Sequence, residues 1–184
     1  MLATLGLTGL GDPNEARRVL LEDALRATAV VDSASGPAID VGSGGGSPGI
    51  PLAVALPGRR FTLLEAERRK CEFLARVSGA LPNVEVVWGR AEEHALDRCG
   101  VALAKALAKP PVAAELCLPL VRAGGIAVLW VGESAEADRV GRAAERLNAR
   151  LEDDLGGLLV LRKLGPTPAG FPRRPGMAKK RPLA

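Results

Sequence analysis

The segment Ala38–Leu56 reads AIDVGSGGGSPGIPLAVAL, an apolar strand that runs through glycines into an apolar helix. Glycine-rich turns of this kind surround dinucleotides, nucleotide phosphates and S-adenosylmethionine, because a backbone without side chains can approach a ligand closely. Two registers fit the glycines. Gly44–Gly49 matches the dinucleotide pattern G-x-G-x-x-G, whereas Gly42–Gly46 matches the G-x-G-x-G of class I methyltransferases. The spacing alone leaves both open.

Two carboxylates flank this turn. Asp40 immediately precedes the glycines, where its charge opposes a pyrophosphate and, directly or through water, favours a cationic ligand. S-adenosylmethionine carries an ammonium and a sulfonium and no phosphate, so Asp40 shifts the choice toward it. Glu65 ends the next predicted strand, where a carboxylate can accept hydrogen bonds from ribose hydroxyls. Glu65 therefore indicates an adenosine moiety, which both ligand classes contain.

A third segment, GRAEE at Gly89–Glu93, follows the third predicted strand. The carboxyl ends of parallel strands meet at one edge of an open α/β sheet, where ligands bind. A backbone amide near Ala91 and the side chain of Glu92 are therefore candidates to contact an adenine edge.

Strand-like and helix-like segments alternate along the chain, which predicts a parallel sheet covered on both faces. A helix is expected from Pro13 to Val31, capped by Asp12. Ser47–Pro48 repeats this cap-then-proline signature before the next helix. Two strands around Gly156–Gly157 predict a closing hairpin. The fold class is α/β, a doubly wound, Rossmann-like sheet that is mostly parallel, with an antiparallel strand near the carboxyl terminus.

The 184 residues are expected to form a single domain. We expect a short helical extension over residues 1–35, a cofactor-binding core over residues 36–164, and an irregular, basic tail rich in proline and glycine over residues 165–184. Trp88 and Trp130 end apolar strands and are expected to pack rather than to stack on a base.

The three cysteines, Cys71, Cys99 and Cys117, show no close pairing. They predict buried thiols in a reducing cytosol, and neither a disulfide framework nor a metal site. No apolar run reaches membrane-spanning length, and the amino terminus lacks the features of a signal peptide. We therefore expect a cytoplasmic protein without a membrane partner.

Charge is unevenly distributed along the chain. From Arg162 onward there are seven basic residues and no acidic ones, whereas the preceding part has 18 basic and 21 acidic residues. A basic tail on a mildly acidic body indicates attraction to a polyanion, with nucleic acid the first candidate.

Three segments together carry a closer resemblance: DVGSGGGSPGIPLAVALPGRRFTLLEAERRKCEFL, VVWGRAEE and the ending FPRRPGMAKKRPLA. They resemble the glucose-inhibited division protein B family, whose members are 16S ribosomal RNA guanine-N7 methyltransferases. The upstream LTGLGDPNEARRVLLEDAL is similar to the family's NLT-x-I-x-DP-x-E…H-x-x-DSL segment. The SPGIPL continuation and the basic ending are more specific than the glycine pattern.

The resemblance implies a class I methyltransferase fold with S-adenosylmethionine as cofactor. Its contacts would fall at Gly42, in the same loop as Gly44, at Ser47 and at Ala91–Glu92, and the family's ligand-contacting arginine falls on Lys105. No metal is implied. The partner would be 16S ribosomal RNA or the small ribosomal subunit, contacted by the tail residues Arg173, Arg174, Lys179 and Lys180.

This chain departs from the family pattern at several positions. Lys105 keeps the charge of the family arginine without its planar fork. Val131 stands before Gly132 where the family has lysine, Leu20 replaces a histidine, and Asp23–Leu25 stands for the D-S-L triplet. The helical segment that precedes NLT in the family has no counterpart, which predicts an abbreviated amino terminus.

The chemistry implied by the resemblance needs no general base, because guanine N7 has an exposed lone pair and no proton. In keeping with this, the sequence offers no conspicuous catalytic residue, and the lone histidine, His94, is expected at the surface. Two alternatives remain at this point. One is a family member that binds cofactor or ribosomal RNA without methylating, and the other is an NAD-dependent oxidoreductase.

Overall fold

The computed structural model describes residues 9–132 and 137–184. Its strands are, in chain order, β1 (Ala38–Val41), β2 (Phe61–Glu65), β3 (Val84–Trp88), β4 (Cys99–Lys105), β5 (Val121–Trp130), β6 (Ala149–Asp154) and β7 (Leu158–Lys163). Its α-helices are α1 (Pro13–Arg17), α2 (Asp23–Leu25), α3 (Thr28–Ser33), α4 (Gly49–Ala55), α5 (Arg68–Ser78), α6 (Pro110–Cys117), α7 (Ala137–Glu145) and α8 (Met177–Lys180). A π turn spans Arg18–Glu22, and 3₁₀ turns span Ala91–Glu93 and Leu118–Leu120.

The strands form one seven-stranded sheet in the order β3-β2-β1-β4-β5-β7-β6. Strands β1 to β5 pair in parallel, whereas β7 runs antiparallel to both β5 and β6. The predicted fold class and closing hairpin are thereby confirmed. Because the strand order reverses between β1 and β4, a crevice forms at the carboxyl ends of these strands.

Both faces of the sheet are covered by apolar side chains. All four residues of β1 are buried, and alternate residues point to opposite faces. Ile39 packs with residues of α6 and α7 on one face, and Ala38 packs with residues of α3 and α4 on the other. Because both faces of β1 are buried, Asp40 is its only polar residue.

The amino-terminal helix is more broken than predicted. Asp12 accepts a hydrogen bond from the Asn14 N–H at 3.0 Å, which confirms the predicted cap. The single expected helix is instead divided by the π turn and by a further turn before α3. The sequence also predicts a polar-rich helix over Glu133–Arg150; residues 133–136 of it lie outside the described residues, and α7 ends earlier, at Glu145, before β6 begins.

The cap of α4 comes from a different residue than the sequence predicted. Ser47 caps nothing; its hydroxyl donates to the Leu20 carbonyl at 2.8 Å. Asp40 instead accepts a hydrogen bond from the Gly49 N–H at 3.1 Å through Oδ2. It lies on the same face of β1 as Ala38, beneath the first turn of α4, so a strand residue satisfies one of the free N–H groups of the helix. Burial raises the pKa of Asp40 to about 7.

This raised pKa predicts a specific pH dependence of stability. Between pH 4 and pH 7 the folded protein holds a proton on Asp40 that the unfolded chain has lost, so the free energy of unfolding falls as pH rises. Asp40→Asn keeps an oxygen acceptor for Gly49 without an ionisable group. Between pH 4.5 and pH 8, urea titrations should show the free energy of unfolding of the wild type falling by about 2–4 kcal/mol more than that of this variant. If wild type and variant differ in stability by the same amount at both pH values, the prediction is wrong.

Candidate functional site

A cavity of about 690 Å³ opens at the carboxyl ends of β1, β2 and β4. It lies in the crevice formed by the reversal of strand order, and its size falls in the range of small-molecule sites. The glycine loop after β1 forms its floor, and the turns after β2, β3 and β4 line its sides. The segment that decided the fold therefore also begins the site.

The conformation of the glycine loop distinguishes the two registers. Gly42, Gly44 and Gly46 have φ values of 71°, 51° and 97°, in the region that favours glycine. A Cβ on Gly42 would come within 2.5 Å of the Leu107 side chain, so this glycine is required twice over. Gly49 has ordinary helical φ and starts α4, but a Cβ there would clash with the Leu63 side chain, so this glycine serves the close packing of α4 on the sheet. The three residues in left-handed backbone are those of the G-x-G-x-G register.

Glu65 joins this loop to the next one. Its Oε2 accepts from the Gly44 N–H and its Oε1 from the Glu67 N–H, both at 2.9 Å. A carboxylate has about four acceptor positions. Two are used here, and the residue lines the cavity, so acceptor capacity remains for a pair of ligand hydroxyls. The geometry of Glu65 fits the ribose of an adenosine.

Asp40 does not occupy the place that the sequence suggested for it. Its side chain is buried under α4 and is absent from the lining of the cavity. Asp40 therefore has a structural role at the start of α4, and its contact with a cationic ligand stays a prediction. Its position at the end of a strand did not reveal that α4 would cover this face.

The amino-terminal segment forms one wall of the cavity. Lys105, at the end of β4, donates to the Val19 carbonyl in the π turn and forms an ion pair with Asp23. Ser47 binds the neighbouring Leu20 carbonyl, and Val19 and Leu20 themselves line the cavity. Lys105 thus faces the cavity as expected, but with its charge compensated. Sequence reasoning missed Asp23 as its partner, since the two residues are 82 positions apart.

The carboxyl-terminal tail forms the opposite wall. Ala91 is buried beside the cavity, and Glu92 accepts a hydrogen bond from the Gly176 N–H at 3.0 Å. Gly176, Ala178 and Lys179 line the cavity. The tail contains the short helix α8 and packs against the core, whereas the sequence predicted an irregular segment.

Two buried charges hold the tail in place. Lys163 donates to the Leu118 carbonyl and to the Thr167 hydroxyl, both at 2.9 Å, and its burial lowers its pKa. Arg173 makes a bidentate ion pair with the buried Glu115 of α6, at 2.6 and 2.5 Å. The guanidinium of Arg173 is therefore engaged within the protein, and its contact with RNA stays a prediction. Arg174, Lys179 and Lys180 are exposed.

The structure also shows where the cysteines, the tryptophans and the histidine lie. All three cysteines are buried and free, as predicted, and burial raises the pKa of Cys99 to about 11. Trp130 packs against the core, but Trp88 is exposed, against expectation. His94 is half-buried. Within residues 9–132 and 137–184, no helix is long and apolar enough to cross a membrane.

Comparison with known proteins shows what this architecture belongs to. Residues 3–152 match the family of the rRNA small subunit methyltransferase G. The chain is a member of this family. A methyltransferase G from Pelotomaculum thermopropionicum is 36% identical, over 98% of this chain and 84% of its own length. Another, from Rubrobacter xylanophilus, is 42% identical over 82% of this chain and 66% of its own length.

Solved structures of other methyltransferases share the fold of this methyltransferase G family member. An S-adenosylmethionine-dependent O-methyltransferase from Thermotoga maritima superposes with a TM-score of 0.63, at 12% identity over 89% of this chain and 69% of its own. The Thermus thermophilus 16S rRNA N2 G1207 methyltransferase, in complex with AdoMet and guanosine, gives 0.55 at 18% identity, over 73% of this chain and 36% of its own. The class I methyltransferase fold is confirmed by these likenesses.

Removing Arg173 tests whether its ion pair with Glu115 holds the tail against α6. Arg173→Ala leaves the Glu115 carboxylate buried without a counter-ion, which should lower the free energy of unfolding by about 2–4 kcal/mol. The neighbouring exposed Arg174→Ala is the matched control and should change it by less than about 0.5 kcal/mol. Urea denaturation followed by circular dichroism measures both. Equal effects of the two variants would show that the ion pair does not hold the tail.

Proposed function

We propose that this chain transfers the methyl group of S-adenosylmethionine to N7 of a guanine in 16S ribosomal RNA. The observation that carries the proposal is the cavity framed by the G-x-G-x-G loop and Glu65 in a member of the methyltransferase G family. A ribosomal substrate also implies that the protein acts in the cytoplasm.

Several cavity residues fit the cofactor. The backbone of Gly42–Gly44 lines the cavity, and the two glycines bring no side chain into it, which leaves room for the methionine end. The free acceptor positions of Glu65 suit the two ribose hydroxyls, as argued above. Ala91 and Glu92, in the turn after β3, line the part of the cavity where an adenine edge would lie. Ser47, which binds Leu20, would contribute through the position of the loop.

The cofactor, when bound, supplies a methyl group activated by its sulfonium. Guanine N7 offers a lone pair and carries no proton, so the chain has no proton to remove. Its task is to hold the base in line with the methyl group and to exclude water from the site. The two walls, one from the π turn and one from the tail, enclose the cavity and serve this purpose.

The RNA would approach across the carboxyl-terminal wall. Lys179 lines the cavity, and Lys180 and Arg174 are exposed beside it, so phosphates near the mouth would meet positive charge. The ion pair between Lys105 and Asp23 favours a second candidate, in which the chain binds cofactor and RNA without methylating. In that case the compensated lysine would hold the amino-terminal segment rather than a cofactor carboxylate.

The primary test is the modification itself. Purified chain, S-adenosylmethionine and unmethylated 16S rRNA should yield 7-methylguanosine, detected by mass spectrometry of the digested RNA. Tight binding of cofactor and RNA without this product would favour the second candidate. Preferential binding of NAD over S-adenosylmethionine in calorimetry would overturn both.

Glu65→Ala tests the placement of the adenosine. Loss of the ribose acceptor and of the bond to Gly44 should weaken cofactor binding about 10-fold or more in calorimetry. Glu85→Ala, an exposed carboxylate on β3, is the control and should bind as the wild type does. An unchanged dissociation constant for Glu65→Ala in a folded protein would place the adenosine elsewhere.

The tail residues make a prediction about salt. The triple variant Arg174→Ala/Lys179→Ala/Lys180→Ala should bind 16S rRNA more weakly, with a slope of log K against log salt shallower by about 2–3, since each lost phosphate contact removes released counterions. Arg60→Ala, exposed at the opposite edge of the sheet, is the control. If the slopes of both variants match the wild type, the tail is not an RNA contact.

A further inference from the structure

Trp88 stands apart from the other aromatic side chains. The chain has two tryptophans, three phenylalanines and no tyrosine, all within the described ranges. Phe61 and Phe73 are buried, and Phe171 and Trp130 pack against the core. The Trp88 side chain alone among these is exposed, with 62% of its surface open to solvent. The cavity does not account for it, since Trp88 is not part of its lining.

The exposed indole is nevertheless held in a defined orientation. Its Nε1 donates to the Ala66 carbonyl at 3.0 Å. The Arg68 guanidinium lies over the ring, 5.7 Å from its centroid, and is itself exposed. A fixed aromatic ring beside an arginine plane is the combination on which unpaired bases stack.

The position of this ring links it to the mouth of the cavity. Ala66, which accepts its hydrogen bond, and Gly89 and Arg90, which follow it in the chain, all line the cavity. Because β3 is the outermost strand beside β2, the described residues place no further strand over Trp88 on that side. Trp88 therefore borders the mouth from outside, next to the turn whose Glu92 binds Gly176 of the tail.

The surrounding charge favours a polyanion over an apolar protein surface. Arg68 lies over the ring, and Arg69 and Arg90, which are near Arg68 and Trp88 in the chain, are exposed. Of the nearby acids, Glu67 forms an ion pair with Lys70 at 2.7 Å and Glu72 with Arg68 at 3.4 Å, whereas Glu85 on β3 is exposed. A nucleotide could place its base on the indole and its phosphate near Arg69 or Arg90.

We propose that Trp88 and Arg68 form a stacking platform for an unpaired base of the ribosomal RNA, next to the guanine that enters the cavity. This rests on the proposed function, because the RNA is the partner proposed there. The platform would hold the RNA strand beside the mouth of the cavity, while the basic tail residues contact its phosphates.

The first test measures RNA affinity. Trp88→Ala should bind in vitro transcribed 16S rRNA about 5- to 150-fold more weakly, the range expected for one stacked base. The salt slope should stay unchanged, since stacking releases no counterions. Trp88→Phe should recover part of the affinity. Val54→Ala, which removes a side chain that is 60% exposed on α4, is the matched control and should bind normally.

The second test uses the two tryptophans as reporters and does not depend on the stability of Trp88→Ala. In Trp130→Phe the only indole emission comes from Trp88, because the chain has no other tryptophan and no tyrosine. A base stacked on the indole should quench this emission when 16S rRNA is added, but S-adenosylmethionine alone should not. Trp88→Phe, which leaves Trp130 as the emitter, should show no such quenching.

The outcomes separate the platform from the proposed function. Unchanged RNA affinity in Trp88→Ala, or no quenching in Trp130→Phe, overturns the platform. The proposed function still stands in that case if the wild type forms 7-methylguanosine. Weakened cofactor binding in Trp88→Ala, or a dimer in sedimentation that this variant abolishes, would assign the ring to another occupant and overturns the platform too. A wild type that binds no RNA overturns both proposals.

Discussion

The carboxylate of Glu65 bonds to Gly44 in one loop and to Glu67 in the next, and much of the site depends on this bridge. The glycine loop has three residues in left-handed backbone, which glycine adopts without strain but does not by itself hold in one conformation. Glu65 holds the middle of the loop and Asp40 holds its end, through the first N–H of α4. Two acidic side chains at the ends of neighbouring strands thus maintain the floor of the cavity.

The walls depend on ion pairs between distant parts of the chain. Lys105 joins β4 to the amino-terminal helix through Asp23, and Arg173 joins the tail to α6 through Glu115. Burying such charges costs desolvation, and the pairs compensate for it only when both partners are present. Their main effect is therefore to specify where each terminal segment lies. Both terminal segments therefore line the cavity.

Features set by local sequence could be predicted, whereas those set by contacts between distant segments could not. The mostly parallel sheet, the hairpin and the placement of Glu65 near the glycines could be predicted, because parallel strands bring their carboxyl ends to one edge. The roles of Asp40 and Arg173 could not, because a helix or a carboxylate from another part of the chain decides them. Trp88 was also misjudged: hydrophobicity at the end of a strand suggests packing, but nothing in the sequence shows that β3 would be at the edge of the sheet.

The sequence by itself determined the alternation of strands and helices, the glycines whose conformation only glycine tolerates, and the family to which the chain is similar. These are local properties, set by side-chain size, periodicity and backbone freedom. Only the tertiary structure decided which charges are paired and which are exposed. Lys105 and Arg173 have partners within the protein, whereas Lys179 and Lys180 are left for solvent or ligand. The reason is that pairing depends on residues far apart in the chain meeting in space.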